Sequence, residues 1–83
     1  MRTIWKYEVP ADNVELPEIF TFRHFEKQGN SMCVWVEVDT ETTRKLRFDF
    51  VQTGTGHYVP REAIYVGTWL DGQFVWHMWA VKK

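Results

Sequence analysis

Apolar and polar residues alternate with a period of two along most of this chain, and that period is typical of half-buried β-strands. The clearest run is Lys-Leu-Arg-Phe-Asp-Phe at residues 45–50, where every second side chain is charged. Similar runs cover residues 2–9, 19–27, 32–38, 64–70 and 74–81. No segment shows the period of about 3.6 residues that marks an amphipathic helix. The pattern predicts one all-β domain over residues 1–83, a small antiparallel sandwich or partly closed barrel of five to six strands.

Turn-forming residues between these runs predict two hairpins. Gln28-Gly29-Asn30 separates the runs 19–27 and 32–38, which should therefore pair with each other. Asp71-Gly72 separates the last two runs and predicts a type I′ turn, in which both turn residues have positive φ. Residues 11–17 begin and end near prolines and are interpreted as a connecting loop.

Aromatic residues make up 17% of the chain, which is more than a two-layer core of this length needs. Trp35 alternates with three valines, so it lies on the opposite face of its strand if those valines form the core. Trp79 follows Trp76 by three residues, so the two side chains lie on opposite faces of a regular strand. Trp35 and Trp79 are therefore candidate protein-binding residues, with burial beneath a second layer or a second subunit as the alternative. Because the last two runs are apolar on both faces, a homodimer is predicted.

The charge balance disfavours several classes of partner. The net charge is −1, from ten basic and eleven acidic residues spread along the chain, whereas nucleic-acid binding needs a basic surface. No run approaches the roughly 20 apolar residues that cross a membrane. The first residues are charged where the apolar segment of a signal peptide would lie. We therefore expect a cytoplasmic protein that binds neither nucleic acid nor membrane.

The segment Gly54-Thr55-Gly56-His57 is the most distinctive local feature. Closely spaced glycines let backbone N–H groups turn towards an anion, and nearby side chains could complete a phosphate or carboxylate site. The candidate ligand-binding residues are Thr55, Gly56, His57, Tyr58 and Arg61. The alternative is a tight turn at the end of a strand, in which His57 caps local backbone groups.

Residues that could support metal binding or catalysis are scattered. His24, His57 and His77 have no paired neighbour at the spacing of zinc ligands, so no metal site is predicted. His77 is interpreted as a half-buried histidine bonded to backbone or as a pocket residue. Cys33 lies in an apolar run, where cysteine behaves as a small hydrophobic residue. We therefore predict a protein that is not an enzyme and has no cofactor.

Several segments together resemble a family of small uncharacterised proteins common in bacteriophages and prophages. The matching segments, all in the expected order, are Met1–Pro10, Leu16-Pro17, Cys33-Val34-Trp35, Val38-Asp39, Arg47-Phe48, Thr53–Pro60, Tyr65-x-Gly67-Thr68 and Val75-Trp76-His77. The resemblance departs in the second run and its turn, and in the longer ending. It brings no settled activity and no catalytic residues. It implies a phage or prophage setting, in which small accessory proteins often bind and disable host components.

Three functions remain open at this point. The first is a non-enzymatic phage accessory module in the host cytoplasm that binds and blocks a host protein, with a defence component as one candidate. The second is an oligomeric small-molecule binder that sequesters an anionic, nucleotide-type signal between subunits. The third is a structural or virion-associated module. The excess of aromatic residues and the near-neutral charge favour the first.

Overall fold

Seven antiparallel β-strands form two sheets in the computed structural model, which describes residues 1–83. The strands are β1 (Arg2–Val9), β2 (Ala11–Pro17), β3 (Phe20–Gln28), β4 (Ser31–Asp39), β5 (Lys45–Gly54), β6 (Ile64–Asp71) and β7 (Phe74–Lys82). One sheet has the order β1-β4-β3 and the other β2-β5-β7-β6. They pack face to face as a sandwich, which confirms the predicted fold class, and they do not close into a barrel. The structure contains no helix long and apolar enough to cross a membrane.

The core lies between the two sheets and is built from every second residue of the central strands. Its nine members are Val9, Leu16, Val34, Val36, Val38, Phe48, Phe50, Met78 and Ala80. Aromatic rings also join the sheets edge to face, with Phe20 and Phe48 centroids 5.3 Å apart. Such pairs add roughly 0.5–1.5 kcal/mol to the burial of their area. The valines of β4 are core residues, as the alternation predicts.

Residues 11–17 were expected to be a loop, and that expectation is wrong. They form β2, an edge strand that pairs antiparallel with β5. An edge strand tolerates proline and irregular backbone because one side of it makes no sheet hydrogen bonds. A bulge between Ala11 and Val14 accommodates Asn13 at φ 55°. Leu16, fully buried, anchors the strand in the core, and β2 brings the count to seven strands rather than five or six.

Both predicted hairpins are present, but one turn differs from the prediction. Asp71 pairs with Phe74 across the hairpin β6–β7, so the turn residues are Gly72 and Gln73. Gly72 has φ 62°, whereas Asp71 and Gln73 have no positive φ. The expected type I′ turn at Asp71-Gly72 is therefore wrong. A glycine of positive φ at the first of two turn positions is typical of a type II′ turn, which suits the strand twist equally well.

Candidate functional site on the outer face of the four-stranded sheet

The loop after β5 begins with a tight turn closed by His57. The His57 N–H donates to the Gly54 carbonyl at 3.0 Å, and the Gly54 N–H donates to His57 Nδ1 at 2.9 Å. Gly56, at φ 93°, occupies the left-handed region that glycine adopts without strain. Since Nδ1 accepts a hydrogen bond, the neutral imidazole carries its proton on Nε2. This geometry is the one that the turn interpretation predicts, with His57 capping local backbone.

His77 lies at the centre of a hydroxyl network on the outer face of β6 and β7. Its Nε2 is 3.0 Å from Thr55 Oγ1, and its Nδ1 is 3.0 Å from Thr68 Oγ1. The Tyr65 hydroxyl in turn bonds to Thr68 Oγ1. A neutral imidazole donates from one nitrogen and accepts at the other, so the two threonines take opposite roles towards it. His77 is thus held by side chains rather than by backbone.

The aromatic ring of Trp79 lies beside this network. Its Nε1–H donates to Thr53 Oγ1 at 2.9 Å, and its ring meets that of Tyr65 edge to face with centroids 5.5 Å apart. The hydrogen bond and the ring contact fix the orientation of a half-buried indole. A shallow depression of about 280 Å³ results, lined by Thr53, Gly54, Thr55, Gly56, His57, Val59, Tyr65, His77 and Trp79. We call it the histidine depression.

The structure brings together only part of the predicted ligand-binding set. Thr55, Gly56 and His57 line the histidine depression, whereas Tyr58 is 98% exposed and does not line it. Arg61 lines a different depression, at the end of the sandwich where β6 begins. A turn at residues 61–62, with Glu62 at φ 52°, lies between the loop that contains His57 and β6. The histidine depression therefore contains no permanently charged cation.

The two tryptophans proposed as protein-binding residues lie on different surfaces. Trp79 is on the outer face of the four-stranded sheet, and Trp35 is half-buried on the outer face of the other sheet. The Trp35 ring packs against His24 with centroids 5.3 Å apart. No single partner surface therefore includes both Trp35 and Trp79.

An ion-pair cluster lies beside Trp35 on β4. Glu37 accepts from Arg23 Nε at 2.9 Å and from Arg2 Nη1 at 3.2 Å, which joins β3 and β1 across the central strand. The pKa of the Glu37 carboxyl lies below its ordinary value, and the main cause is the hydrogen bond from Arg23. Burial opposes this shift, and the hydrogen bond from Arg2 adds to it. The three-stranded sheet thus presents a cross-linked polar face.

Sequence reasoning missed Thr53, Val59 and Tyr65, which line the histidine depression, and Thr68, which bonds to His77. Tyr65 and Thr68 are three residues apart, so a regular strand would place them on opposite faces. A bulge between Tyr65 and Gly67 shifts the register and brings both onto the outer face. The structure also joins three segments that carry the phage-family resemblance, Thr53–Pro60, Tyr65–Thr68 and Val75–His77. Their common membership in that resemblance is the sequence signal that could have grouped them.

The fold and this outer face define a small two-layer β-sandwich domain with a polar and aromatic surface depression. No group of three or more histidine, cysteine, aspartate or glutamate side chains is placed to hold a metal ion. The chain belongs to the family described as a domain of unknown function, DUF7352, whose sequence model matches residues 1–83. No curated protein and no solved structure matches it. The phage or prophage setting stays a prediction.

Proposed function

We propose that this chain is a non-enzymatic binding module that recognises another protein through the hairpin β6–β7 and the loop before it. The observation that carries the proposal is where apolar side chains are exposed. Of the nine large hydrophobic residues that are exposed, six lie in the last third of the chain. These six, which we call the hairpin surface, are Tyr58, Val59, Ile64, Tyr65, Leu70 and Phe74.

The tip of the hairpin exposes two large apolar side chains. Leu70 is 74% exposed and Phe74 is 57% exposed, and they flank the turn at Gly72 and Gln73 on its two sides. Burying one such side chain against a partner contributes roughly 1.5–3 kcal/mol. Aromatic residues are enriched at the centres of protein interfaces, and clustered exposed apolar residues mark interaction sites.

The proposed partner is a host protein in the cytoplasm, because the resemblance implies a phage or prophage setting. A component of host defence is one candidate within that class. Binding would block the partner by covering its surface, which requires no catalytic group on this chain. The near-neutral net charge of −1 suits a partner recognised by apolar contact more than one recognised through phosphates.

The test compares capture from host lysate by three tagged proteins. They are the wild type, a hairpin variant (Leu70→Asp with Phe74→Asp) and a control variant (Ile4→Asp with Ile19→Asp). Ile4 and Ile19 are 49% and 52% exposed but lie outside the hairpin surface, so the control makes the same chemical change elsewhere. We expect quantitative mass spectrometry to find a protein held by wild type and control and lost from the hairpin variant. Equal capture by all three would contradict the proposal.

A second candidate function is binding of a small planar anion in the histidine depression. The observation that favours it is the placement of Thr55, His57 and His77 beside the Trp79 ring, which supplies hydrogen-bonding groups and a stacking surface. At about 280 Å³ the depression is below the usual range of roughly 300–1,000 Å³ for enclosing a ligand. A second copy of the chain would have to cover the remainder, as in sequestration between subunits.

Native mass spectrometry of protein purified from host cells tests this second function. We expect an additional small mass on the oligomer that is absent from a His77→Ala variant. The hairpin variant separates the two functions, because it leaves Thr55, His57 and His77 unchanged. If wild-type protein carries no additional mass, and nucleotides leave Trp fluorescence unchanged, the second function is excluded and the first is unaffected.

A further inference from the structure

The hydrogen bonds around His77 run in one direction, from the Tyr65 hydroxyl to the backbone of β7. The Thr55 hydroxyl donates to the Val75 carbonyl at 3.4 Å, so its oxygen is left to accept from His77 Nε2–H. The Nδ1 atom of neutral His77 then carries no proton and accepts from the Thr68 hydroxyl. Tyr65 in turn donates its hydroxyl proton to Thr68 Oγ1. While His77 is neutral, the Tyr65 oxygen therefore has no proton to offer a ligand.

A proton added to His77 reverses half of this chain without breaking a hydrogen bond. The protonated imidazole donates from both nitrogens, so Thr68 Oγ1 accepts from Nδ1–H and turns its own proton towards Tyr65. The Tyr65 oxygen then accepts from Thr68, and its hydroxyl proton becomes free to bind a ligand. The bond from Nε2–H to Thr55 is unchanged. Protonation of His77 therefore brings a positive charge and a free hydroxyl donor to the same face.

The other histidine of the depression is held differently. His57 Nδ1 accepts from the Gly54 N–H at 2.9 Å, and a backbone N–H cannot become an acceptor. A proton on His57 Nδ1 would break that bond and open the turn that it closes. Both nitrogens of His77 face hydroxyls instead, and a hydroxyl donates or accepts. His77 is therefore the histidine whose surroundings accommodate either charge state.

The charge of the histidine depression depends on its titratable groups alone, because no aspartate, glutamate, lysine or arginine lines it. Besides His77 these groups are His57, from the loop after β5, and Tyr65, from β6. The residue that β5 places opposite His77 is the uncharged Thr53. With His57 neutral, the depression is uncharged when His77 is neutral and carries one positive charge when His77 is protonated.

Charged side chains of β3 lie near Tyr65 but outside the histidine depression. Arg23 and His24 line a separate depression on the other side of Tyr65. Arg23 Nη2 lies 2.9 Å from a Glu37 oxygen, and His24 Nε2 lies 3.2 Å from a Glu26 oxygen. Both groups thus have carboxylate partners of their own on the three-stranded sheet.

The sheet register brings the recognition groups to one face. Thr53 and Thr68 are the two cross-strand partners of His77, and Tyr65 is the partner of Trp79 on the same side. Trp79 follows His77 by two residues on β7, so both side chains lie on the outer face. Tyr65 is 54% exposed. A planar ligand stacked on the Trp79 ring therefore lies beside the Tyr65 hydroxyl and the His77 imidazole.

From this arrangement we propose that the histidine depression binds an aromatic carboxylate together with a proton, which His77 takes up. The inference rests on the second candidate function, to which it adds the class of anion and a coupling to pH. Protonated His77 supplies the positive charge, the Tyr65 hydroxyl donates to the carboxylate, and the aromatic ring stacks on Trp79. One positive charge matches a singly charged carboxylate better than a phosphate with up to two negative charges.

The direction of the pH dependence follows from the reciprocity of coupled binding. The carboxylate favours protonated His77, so protonated His77 favours the carboxylate by the same factor. With neutral His77, the Tyr65 oxygen presents lone pairs, which repel an anion. Affinity for the carboxylate should therefore rise as the pH falls through the range in which imidazole titrates, and level off below it.

The experiment is a titration of isotope-labelled full-length protein with benzoate and benzamide, at about pH 5.5 and about pH 8. Benzoate stays ionised at both, since carboxyl groups ordinarily titrate near about pH 4, and benzamide has a similar shape without the charge. We expect benzoate to shift amides of residues 53–57, 65–68 and 77–79. Its affinity should be about tenfold higher at the lower pH. The affinity of benzamide should not change with pH.

Matched variants test whether His77 is the group that takes up the proton. Since His77→Gln cannot be protonated, its affinity for benzoate should be the same at both pH values. His24→Gln removes an imidazole from the outer face of the three-stranded sheet and should leave the pH dependence as in the wild type. Tyr65→Phe should weaken benzoate at the lower pH by about tenfold, the effect of losing a hydrogen bond to a charged group. The amide spectrum of each variant verifies that it folds.

The ring nitrogens of the wild type provide a measurement that needs no substitution. At neutral pH without ligand, a nitrogen–proton correlation spectrum of the imidazoles should place the His77 proton on Nε2. Benzoate added at about pH 6.5, where imidazole is ordinarily half protonated, should increase the protonated fraction of His77. The signals of His57 should keep the neutral form with its proton on Nε2.

Three results would overturn the inference. Equal affinity of the wild type for benzoate at both pH values would leave anion binding in place without the proton. Equal affinity for benzoate and benzamide at the lower pH would show that the ring alone is recognised. Absence of benzoate binding at both pH values is the third, whereas the second candidate function is decided separately by the native mass of the purified protein. A tenfold dependence on pH that disappears in His77→Gln supports the inference.

Discussion

Gly67 on β6 lies directly against the ring of Phe25 on β3, and this contact joins the edge strands of the two sheets. A Cβ atom placed on Gly67 would overlap the Cδ2 and Cγ atoms of Phe25. The glycine is buried, and the contact lies where both strands are irregular, with bulges between Phe22 and His24 and between Tyr65 and Gly67. The close approach of the sheets at this edge therefore requires the absence of a side chain at position 67.

We predict that Gly67→Ala destabilises the fold by about 1–3 kcal/mol, the usual cost of forcing an extra carbon into a packed site. Urea unfolding followed by Trp fluorescence measures the free energy of unfolding. Phe25→Leu alone should also destabilise, because it removes ring contacts. The double variant should lose less than the sum of the single variants, since the smaller side chain leaves room for the methyl group. Additive losses would show that the overlap is not the cause.

A second prediction concerns the turn closed by His57. Replacing His57 with alanine leaves the partly buried Gly54 N–H without its acceptor, which costs roughly 1–3 kcal/mol. Tyr58→Ala is the matched control, because that side chain is 98% exposed and its removal should change stability by less than about 0.5 kcal/mol. Thermal unfolding of both variants measures the difference. Equal effects would mean that the Gly54–His57 hydrogen bond adds nothing to stability.

Sequence alternation predicted the layered β fold because burial on one side of a strand imposes a period of two. It identified the valines of β4 as core and the two hairpins from their turn residues. It missed β2, because Pro17 and Asn13 are poor strand formers. In an edge strand such residues destabilise the sheet little, since one side of the strand makes no sheet hydrogen bonds. Pattern alone cannot distinguish an edge strand of this kind from a loop.

The candidate site was only partly predictable, and a single bulge explains most of the difference. Thr55 and His57 were found because glycines flank them. Tyr65 and Thr68 reach His77 only after the register shift in β6, which alternation cannot anticipate. Arg61 was grouped with the loop on sequence proximity, yet its side chain lines a different depression, at the end of the sandwich.

The third prediction follows from the lowered pKa of Glu37. A carboxyl whose pKa is lower in the folded chain than in the unfolded chain favours folding at neutral pH. That contribution is present above the ordinary carboxyl pKa and is lost as the pH falls through the lower folded-state value. We therefore expect wild-type protein to lose more stability than Glu37→Gln between neutral and strongly acidic pH. The cause is the hydrogen bond from Arg23 foremost, with that from Arg2 after it.

Urea unfolding at a series of pH values measures this difference between wild type and Glu37→Gln. Glu8→Gln is the control, because Glu8 lies on the same outer face without a hydrogen-bonding or ion-pair partner. The stability of Glu8→Gln should change with pH almost as that of the wild type does, and more so than the stability of Glu37→Gln. Parallel curves for wild type and Glu37→Gln would contradict the prediction.

The last prediction is that the chain forms a dimer through β6. This strand is a sheet edge whose only charged residue is Asp71, at its end, whereas the edge strand β1 carries Arg2, Lys6 and Glu8. Charged side chains protect sheet edges from pairing with other chains, so β6 is poorly protected. The exposed Leu70 adds apolar area beside the free edge.

Light scattering during size-exclusion chromatography at micromolar concentration should give a mass above that of a single chain. Leu70→Lys should shift the protein towards monomer, because two copies would bring the new charges together. Ile4→Lys, a similar change at a residue 49% exposed on β1, should leave the mass unchanged. A wild-type mass of one chain at every concentration would contradict self-pairing. The free edge of β6 and Leu70 would then both remain accessible to a partner protein. The same measurement therefore decides whether a dimer must dissociate before the hairpin surface binds a host protein.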